Sequence, residues 1–246
     1  MYYPKEGVIF VAINKTGSSS VVTVLNKALY SHDVPEQWQK VPLHPRLLIN
    51  DQLTHAHAFF YLQELGKEVY SDAYVFTQVR NPYDKVVSDF IFRCRAPKKL
   101  EKWRRQRQWF MEQGLSEPSE SPGKDLFKRY VEALESGKQS PHPHWDFLSR
   151  EYKLPDAGRR FLCQHDGLTD LEGNIIVDDI FRLEDMPGDW NRLQRAIEQK
   201  TGKTLLDLPH VNQSKRGRYQ DYFDDVTFAT VTRLFKKDLE AFDYSF

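Results

Sequence analysis

Cysteine is nearly missing from this chain, with Cys94 and Cys163 the two in 246 residues. Two are too few for a disulfide framework, so a reducing compartment is the expectation. No apolar run approaches the ~20 residues that a membrane-spanning helix needs, and no membrane span is expected. An excess of one charge is missing too. Lys+Arg and Asp+Glu stand at 35 each, which gives no reason to expect nucleic acid as a partner. The first strand candidate opens at Val8 with no leader-like run before it, and we expect a cytoplasmic protein. Neither an internal repeat nor a linker-like stretch marks a second domain, so residues 1–246 are expected to form one. At 40% hydrophobic residues a chain of this length can bury one substantial core.

What the chain does have begins at its first apolar run. Val8 to Ile13 is continuous, β-branched and aromatic, the pattern of a strand buried on both faces. The loop Asn14-Lys15-Thr16-Gly17-Ser18-Ser19-Ser20 follows, and then Val21, Val22, Leu25 and Leu29 fall at helical spacing. Strand, small-residue turn and helix place free backbone N–H groups and a helix dipole where an anion can sit. Gly17 lets the backbone come close to a ligand, and Lys15 adds a point charge at the mouth. The order is not that of a Walker A loop, in which lysine closes a glycine-rich run; here lysine comes first.

A second strand candidate, Ala73 to Val79, ends at Arg80. Asn81 as N-cap and Pro82 at the first helical position then start a helix whose apolar stripe is Tyr83, Val86, Val87, Phe90 and Ile91. Strand followed at once by helix, twice, argues for an α/β fold with a parallel sheet and ligand sites at the C-terminal strand ends. Before it, Leu53 to Phe60 leads into a short helix that Gly66 ends. Later elements are a helix over Leu126 to Leu134 and strand material at Ile175 to Val177 and Ile180 to Leu183. A helix from Pro187 to Thr201 closes at Gly202, and a last helix from about Asp224 presents Phe228, Val231, Phe235, Leu239 and Phe242.

Arg80, at a strand end, can fork onto a phosphate, and Ser88 lies off the apolar stripe of the helix that follows. His55 and His57 share a face if their segment is extended. Histidine is the side chain whose ordinary pKa suits a general base near neutrality. A metal pair lacking its other ligands and two polar histidines with structural partners stay open as readings of the same residues. The run from Arg93 to Arg107 is strongly basic, with Glu101 alone opposing it. It is either a solvated face or a surface that draws in an acidic acceptor.

These motifs together carry a resemblance. The loop is similar to the 5′-phosphosulfate loop of sulfotransferases that use 3′-phosphoadenosine 5′-phosphosulfate (PAPS), with Asn14 where that family usually has proline. Arg80-Asn81-Pro82-Tyr83-Asp84-Lys85-Val86-Val87-Ser88 resembles the family's 3′-phosphate motif. Gln164 to Asp185, and Leu208 to Tyr244 with its Leu-Pro-His-Val-Asn-Gln-Ser start, resemble the later stretches of sulfotransferase family 2. His-Ala-His at 55–57 resembles the His-Gly-His segment of heparan sulfate 2-O-sulfotransferases, whose second histidine is taken as the base. On this resemblance the compact form is expected to look more like a bacterial relative than like the anchored Golgi enzymes.

The resemblance implies a P-loop-like three-layer sandwich, a central parallel sheet flanked by helices. It implies sulfuryl transfer from PAPS to a hydroxyl of a small-molecule or glycan acceptor, with 3′-phosphoadenosine 5′-phosphate (PAP) released and no metal. Lys15, Thr16, Gly17, Ser18, Ser19 and Ser20 would hold the 5′ end, Arg80 and Ser88 the 3′-phosphate, and Lys215, Arg216 and Tyr219 would close over the nucleotide. His57 would be the base, with His55 its helper and Lys15 the electrostatic catalyst. The competing readings are a nucleotide kinase or NTPase with an atypical phosphate loop, and a non-catalytic nucleotide- or glycan-binding module.

Overall fold

The computed structural model describes residues 1–29, 56–94, 123–137, 163–208 and 216–246. They pack as two compact units. Met1–Arg80 and Gln164–Gln213 form the first, and Asn81–Cys163 and Ser214–Phe246 form the second.

The first unit is built on a four-stranded sheet in the order β1 (Tyr2–Tyr3), β2 (Val8–Val11), β3 (Tyr74–Val79) and β4 (Asp179–Arg182). β2, β3 and β4 run parallel, and β1 is an antiparallel edge. All of β2 is buried, as a continuous apolar run requires. Alternate residues serve the two faces. Val8, Phe10 and Phe76 pack with Val21, Val24, Leu25 and Leu29 of helix α1 (Ser18–Leu29) and with Trp190, Leu193 and Ile197 of a later helix, Met186–Thr201. The Phe10 and Phe76 rings stack with centroids 5.0 Å apart. Thr77, buried between strands, donates its hydroxyl to the Val11 carbonyl at 2.7 Å.

Between β2 and β3 lie α2 (Ala58–Leu65) and α3 (Lys67–Asp72). Gly66 joins them at φ 78° and ends α2 with its N–H on the Leu62 carbonyl. This is a mixed α/β architecture, a mostly parallel sheet flanked by helices. Among the described residues no helix is long and apolar enough to cross a membrane.

Two expectations for this unit change. In α1 the inward position belongs to Val24, and Val22 is half-buried. Ile175 to Val177 is not a strand. Asp170 accepts the Asn174 backbone N–H at 2.8 Å and its side-chain amide at 3.0 Å, closing a tight turn with Gly173 at φ 92°. The one bridge there is Thr169 to Ile175, and pairing with β3 starts at Asp179.

The second unit is helical in its described part: α4 (Pro82–Cys94), α5 (Lys124–Glu135), then, after the helix Met186–Thr201 of the first unit (α6), α7 (Asp225–Leu234) and α8 (Lys236–Ala241). The expected α4 stripe is the buried one, joined in the core by Phe127, Tyr130 and Val131 of α5 and by Val231 and Phe235. Asn81 caps α4, its side-chain oxygen accepting the Tyr83 N–H at 3.0 Å. Asp89 accepts from both Arg93 Nε and the Tyr130 hydroxyl at 2.6 Å. Burial, then the Asp89 carboxylate, pushes the Tyr130 phenol well above its ordinary pKa. The last helix is two helices, broken at Phe235, where φ −108° and ψ 21° leave the helical region. Phe228 is not inward but 37% exposed, stacked on Tyr83 with centroids 5.5 Å apart. Cys94 and Cys163 are buried thiols and form no disulfide.

Candidate functional site

The loop after β2 has the backbone that an anion cradle needs. Lys15 stands at φ 66° and Gly17 at φ 81°, both left-handed, on either side of Thr16. For lysine that conformation is strained, and strain of this kind gathers where a site dictates the geometry. Thr16 is fully buried and donates its hydroxyl to the Ile13 carbonyl at 2.9 Å. α1 starts at Ser18, so the three serines form its first turn, with Ser18 and Ser20 buried and Ser19 exposed. Ser20 N–H is turned in to the Gly17 carbonyl at 3.1 Å. The N–H groups of Ser18 and Ser19 head the helix and its dipole.

Gly17 sits tightly on the sheet. A Cβ built on it would lie 2.8 Å from Leu183 Cδ1 and 3.6 Å from Gln78 Nε2. Gln78, next to last in β3, is 1% exposed, and its Oε1 has no partner among the described residues. Arg80, the first residue past β3, sends Nη1 to the Lys15 carbonyl at 3.1 Å. The guanidinium therefore braces the loop at the residue whose backbone is strained.

His57 is buried and opens α2 as its N-cap, with extended φ −81° and ψ 161°. Its carbonyl accepts the Phe60 N–H at 3.1 Å, which fixes the backbone that carries the ring. The ring lies against a short 3-10 turn, His165–Gly167. A Cβ on Gly167 would meet Ile13 Cδ1 at 2.9 Å and His57 Nε2 at 3.6 Å. One glycine thus has as neighbours both the end of the β2 segment and the imidazole. The first unit accordingly collects Lys15, Arg80 and His57 around the C-terminal ends of β2 and β3, where a parallel sheet places its ligands.

The family model for the sulfotransferase family matches residues 1–245. The chain belongs to the sulfotransferase family. No curated protein matches it. Family membership makes the chain a transferase of the sulfotransferase type, and the loop, Arg80 and His57 are read below in that light.

Other residues expected at the site of this sulfotransferase lie in the second unit. Ser88 is buried on α4, 8% exposed. Arg216 forms a salt bridge with Asp84. Tyr219 opens a 3-10 turn, Tyr219–Tyr222, and meets the Phe246 ring edge-on at 5.7 Å. Lys85 places its ammonium over the Phe235 ring, 5.5 Å from the centroid. His55 and Lys215 lie outside the described residues, as does the basic run beyond Cys94. Arg93, which begins that run, is buried with its guanidinium on Asp89 and is not a surface charge.

Three residues near the loop went unassigned in the sequence reading. Gln78 carried a signal, a long polar amide in a buried strand. Leu183 and Gly167 carried none, since their importance comes from what a neighbouring methyl would strike. A cleft of about 650 Å³ lined by Phe59, Leu62, Lys67, Tyr70, Asp170 and Asp178 opens beside the N-terminal ends of β3 and β4, away from these residues.

Gly17 supplies the first prediction. Gly17→Ala adds a methyl 2.8 Å from Leu183 Cδ1 at a left-handed φ, a conformation that costs a Cβ-bearing residue about 1–2 kcal/mol. If this loop holds the phosphate end of a nucleotide, the PAP dissociation constant rises about tenfold or more. Adding Leu183→Ala removes the collision and leaves the backbone strain, so affinity recovers in part. Titration calorimetry on the three proteins checks this, and an unchanged affinity in Gly17→Ala contradicts close packing of the donor on this loop.

Proposed function

We propose that this sulfotransferase moves a sulfuryl group from PAPS to a hydroxyl of a carbohydrate acceptor, on a P-loop-like three-layer scaffold and with a histidine as general base. Sulfotransferases of the family generally use PAPS and yield PAP. The observation that carries the reading is the strained Lys15–Gly17 loop at the head of α1, braced by the Arg80 guanidinium on the Lys15 carbonyl.

The residues fit a phosphosulfate. A backbone that comes close without a Cβ at Gly17, N–H groups at a helix start, and the Lys15 ammonium suit a ligand with a phosphate at that end. Bound there, PAPS supplies the activated sulfuryl group. The N–H groups of the loop hold its 5′-phosphate, and the Lys15 ammonium offsets negative charge that grows on the bridging oxygen as that bond breaks. Arg80 and Ser88 are assigned to the 3′-phosphate on their motif positions, and Lys215, Arg216 and Tyr219 to closure over the nucleotide on theirs. His57 takes the proton of the acceptor hydroxyl, with His55 orienting the acceptor or its partner ring. Fixing the donor at both ends aligns the sulfur with the acceptor, so positioning contributes much of the rate. No step in this scheme calls for a metal ion.

Melting in the presence of nucleotides tests the reading. PAP at a hundred times its dissociation constant stabilises by about 2.7 kcal/mol, which for a domain of this size is a rise in Tm of about 5–10 °C. ATP with Mg²⁺ gives a much smaller shift. A larger response to Mg-ATP than to PAP would overturn the proposal in favour of a kinase or NTPase.

A further inference from the structure

Arg80 stands one residue beyond β3, and the strand register ends before it, at Thr77 opposite Val11 on one side and at Val79 opposite Arg182 on the other. Its backbone is nonetheless paired. Gln164 Oε1 accepts the Arg80 N–H at 2.9 Å, and Gln164 Nε2 donates to the Arg80 carbonyl at 2.8 Å. A side-chain amide has one donor edge and one acceptor edge, so it takes the place of a strand residue at this rung. Gln164 is 1% exposed, and its own carbonyl accepts the Gly167 N–H at 2.9 Å, which ties it into the 3-10 turn beside His57.

We propose that Gln164 is a positioning residue for donor binding: it sets the direction in which the Arg80 side chain leaves the sheet, so that the guanidinium reaches both the Lys15 carbonyl and a donor phosphate. This rests on the reading above, in which Arg80 contributes to nucleotide affinity. With both hydrogen bonds in place, the peptide groups flanking the Arg80 Cα cannot rotate, and the fork is delivered already oriented. Without them Arg80 must be ordered by the ligand, at a cost in affinity. Glutamate at this position would keep the acceptor for the N–H and set a second oxygen against the Arg80 carbonyl. Methionine would keep the shape and lose both bonds.

A double-mutant cycle on PAP affinity separates positioning from mere stability. Gln164→Met is expected to raise the PAP dissociation constant about tenfold, the equivalent of about 1.4 kcal/mol, and to lower Tm. In an Arg80→Ala background the same change should leave the PAP dissociation constant within about twofold, because the group being positioned is gone. The fall in Tm should persist, since the residue-80 backbone still loses its partner. Equal tenfold losses in both backgrounds would show Gln164 to be structural only, and no loss in the wild-type background would overturn the proposal directly. If Arg80→Ala by itself leaves PAP affinity unchanged, the role given to Arg80 is wrong and that of Gln164 falls with it. Should Gln164→Met not accumulate as folded protein, Gln164→Asn, whose shorter neutral amide cannot span both backbone groups of Arg80, is carried through the same cycle with the same expectations.

Discussion

With His57 as the proposed base, His57→Ala is expected to lower kcat by about 10²–10⁴, the usual range for a positioned general base, and to leave PAP affinity nearly intact. The imidazole is buried and carried on an N-cap whose carbonyl accepts the Phe60 N–H, so the backbone that carries the ring is held before a ligand arrives. A neutral ring is needed to accept the acceptor proton. Turnover therefore falls as pH drops through the pKa of the base and is retained on its alkaline side. An anionic donor beside the ring favours imidazolium, which moves that acid limb to higher pH when the donor is bound. Because alanine also leaves a cavity beside Ile13 and Gly167, His57→Gln is the companion variant. It keeps much of the volume and the hydrogen bonding and cannot act as the base. Both variants should lose kcat together while their melting temperatures differ. His55→Ala should cost less. If His57→Ala and His57→Gln keep most of their turnover, His57 is a buried structural histidine, and the base lies elsewhere.

The parts of the fold that could be read from the sequence are those with a local cause. β2 announced itself as a continuous apolar run, because a strand covered on both faces has little polar side to show, and β3 as a β-branched and aromatic run ending at Arg80. The start of α4 was equally legible, since Asn81 and Pro82 act on the first turn alone. Gly202 ended α6 as expected, at φ 70°. The misses have non-local or competing causes. The Ile175 segment has strand composition, but Asp170 captures Asn174 and bends the chain before a partner is reached. Phe228 fits the helical spacing of α7, yet its ring is held outward by the Tyr83 and Phe246 rings, both distant in sequence.

The candidate site divides in the same way. The residues proposed to carry the chemistry, Lys15, Gly17, Arg80 and His57, were singled out by type, spacing and family resemblance. Those that hold them were not. Gln164 stood out only as part of a long motif, and nothing in that motif said that its amide would stand in for a strand at Arg80. Leu183 gave no sign that it sets the floor beneath Gly17. Support of this kind is a property of which side chains meet, and it follows from the register of β3 and β4 and from the turn at His165–Gly167.

Lys15 offers the sharpest separation of charge from backbone. Lys15→Gly and Lys15→Ala both remove the ammonium, so both should lower kcat by about 10²–10³, the size of losing one group that stabilises charge in the transition state. They differ in the backbone, which is left-handed here at φ 66°. Alanine keeps the strain that lysine has, about 1–2 kcal/mol, whereas glycine is at ease there and gives back about 0.5–1 kcal/mol through the greater freedom of its unfolded chain. Lys15→Gly should therefore melt at or above the wild-type temperature while being nearly inactive, and above Lys15→Ala. PAP affinity should change far less than kcat in both, because the charge is needed most as the bridging oxygen becomes anionic. The measurements are single-turnover rates, PAP titrations and melting curves on the three proteins. A Lys15→Gly variant that keeps wild-type turnover would assign the importance of this position to backbone shape and remove Lys15 from the catalytic scheme. If both variants instead lose affinity and rate in equal proportion, the ammonium binds donor and transition state alike, and the rate enhancement has to come from His57 and from alignment.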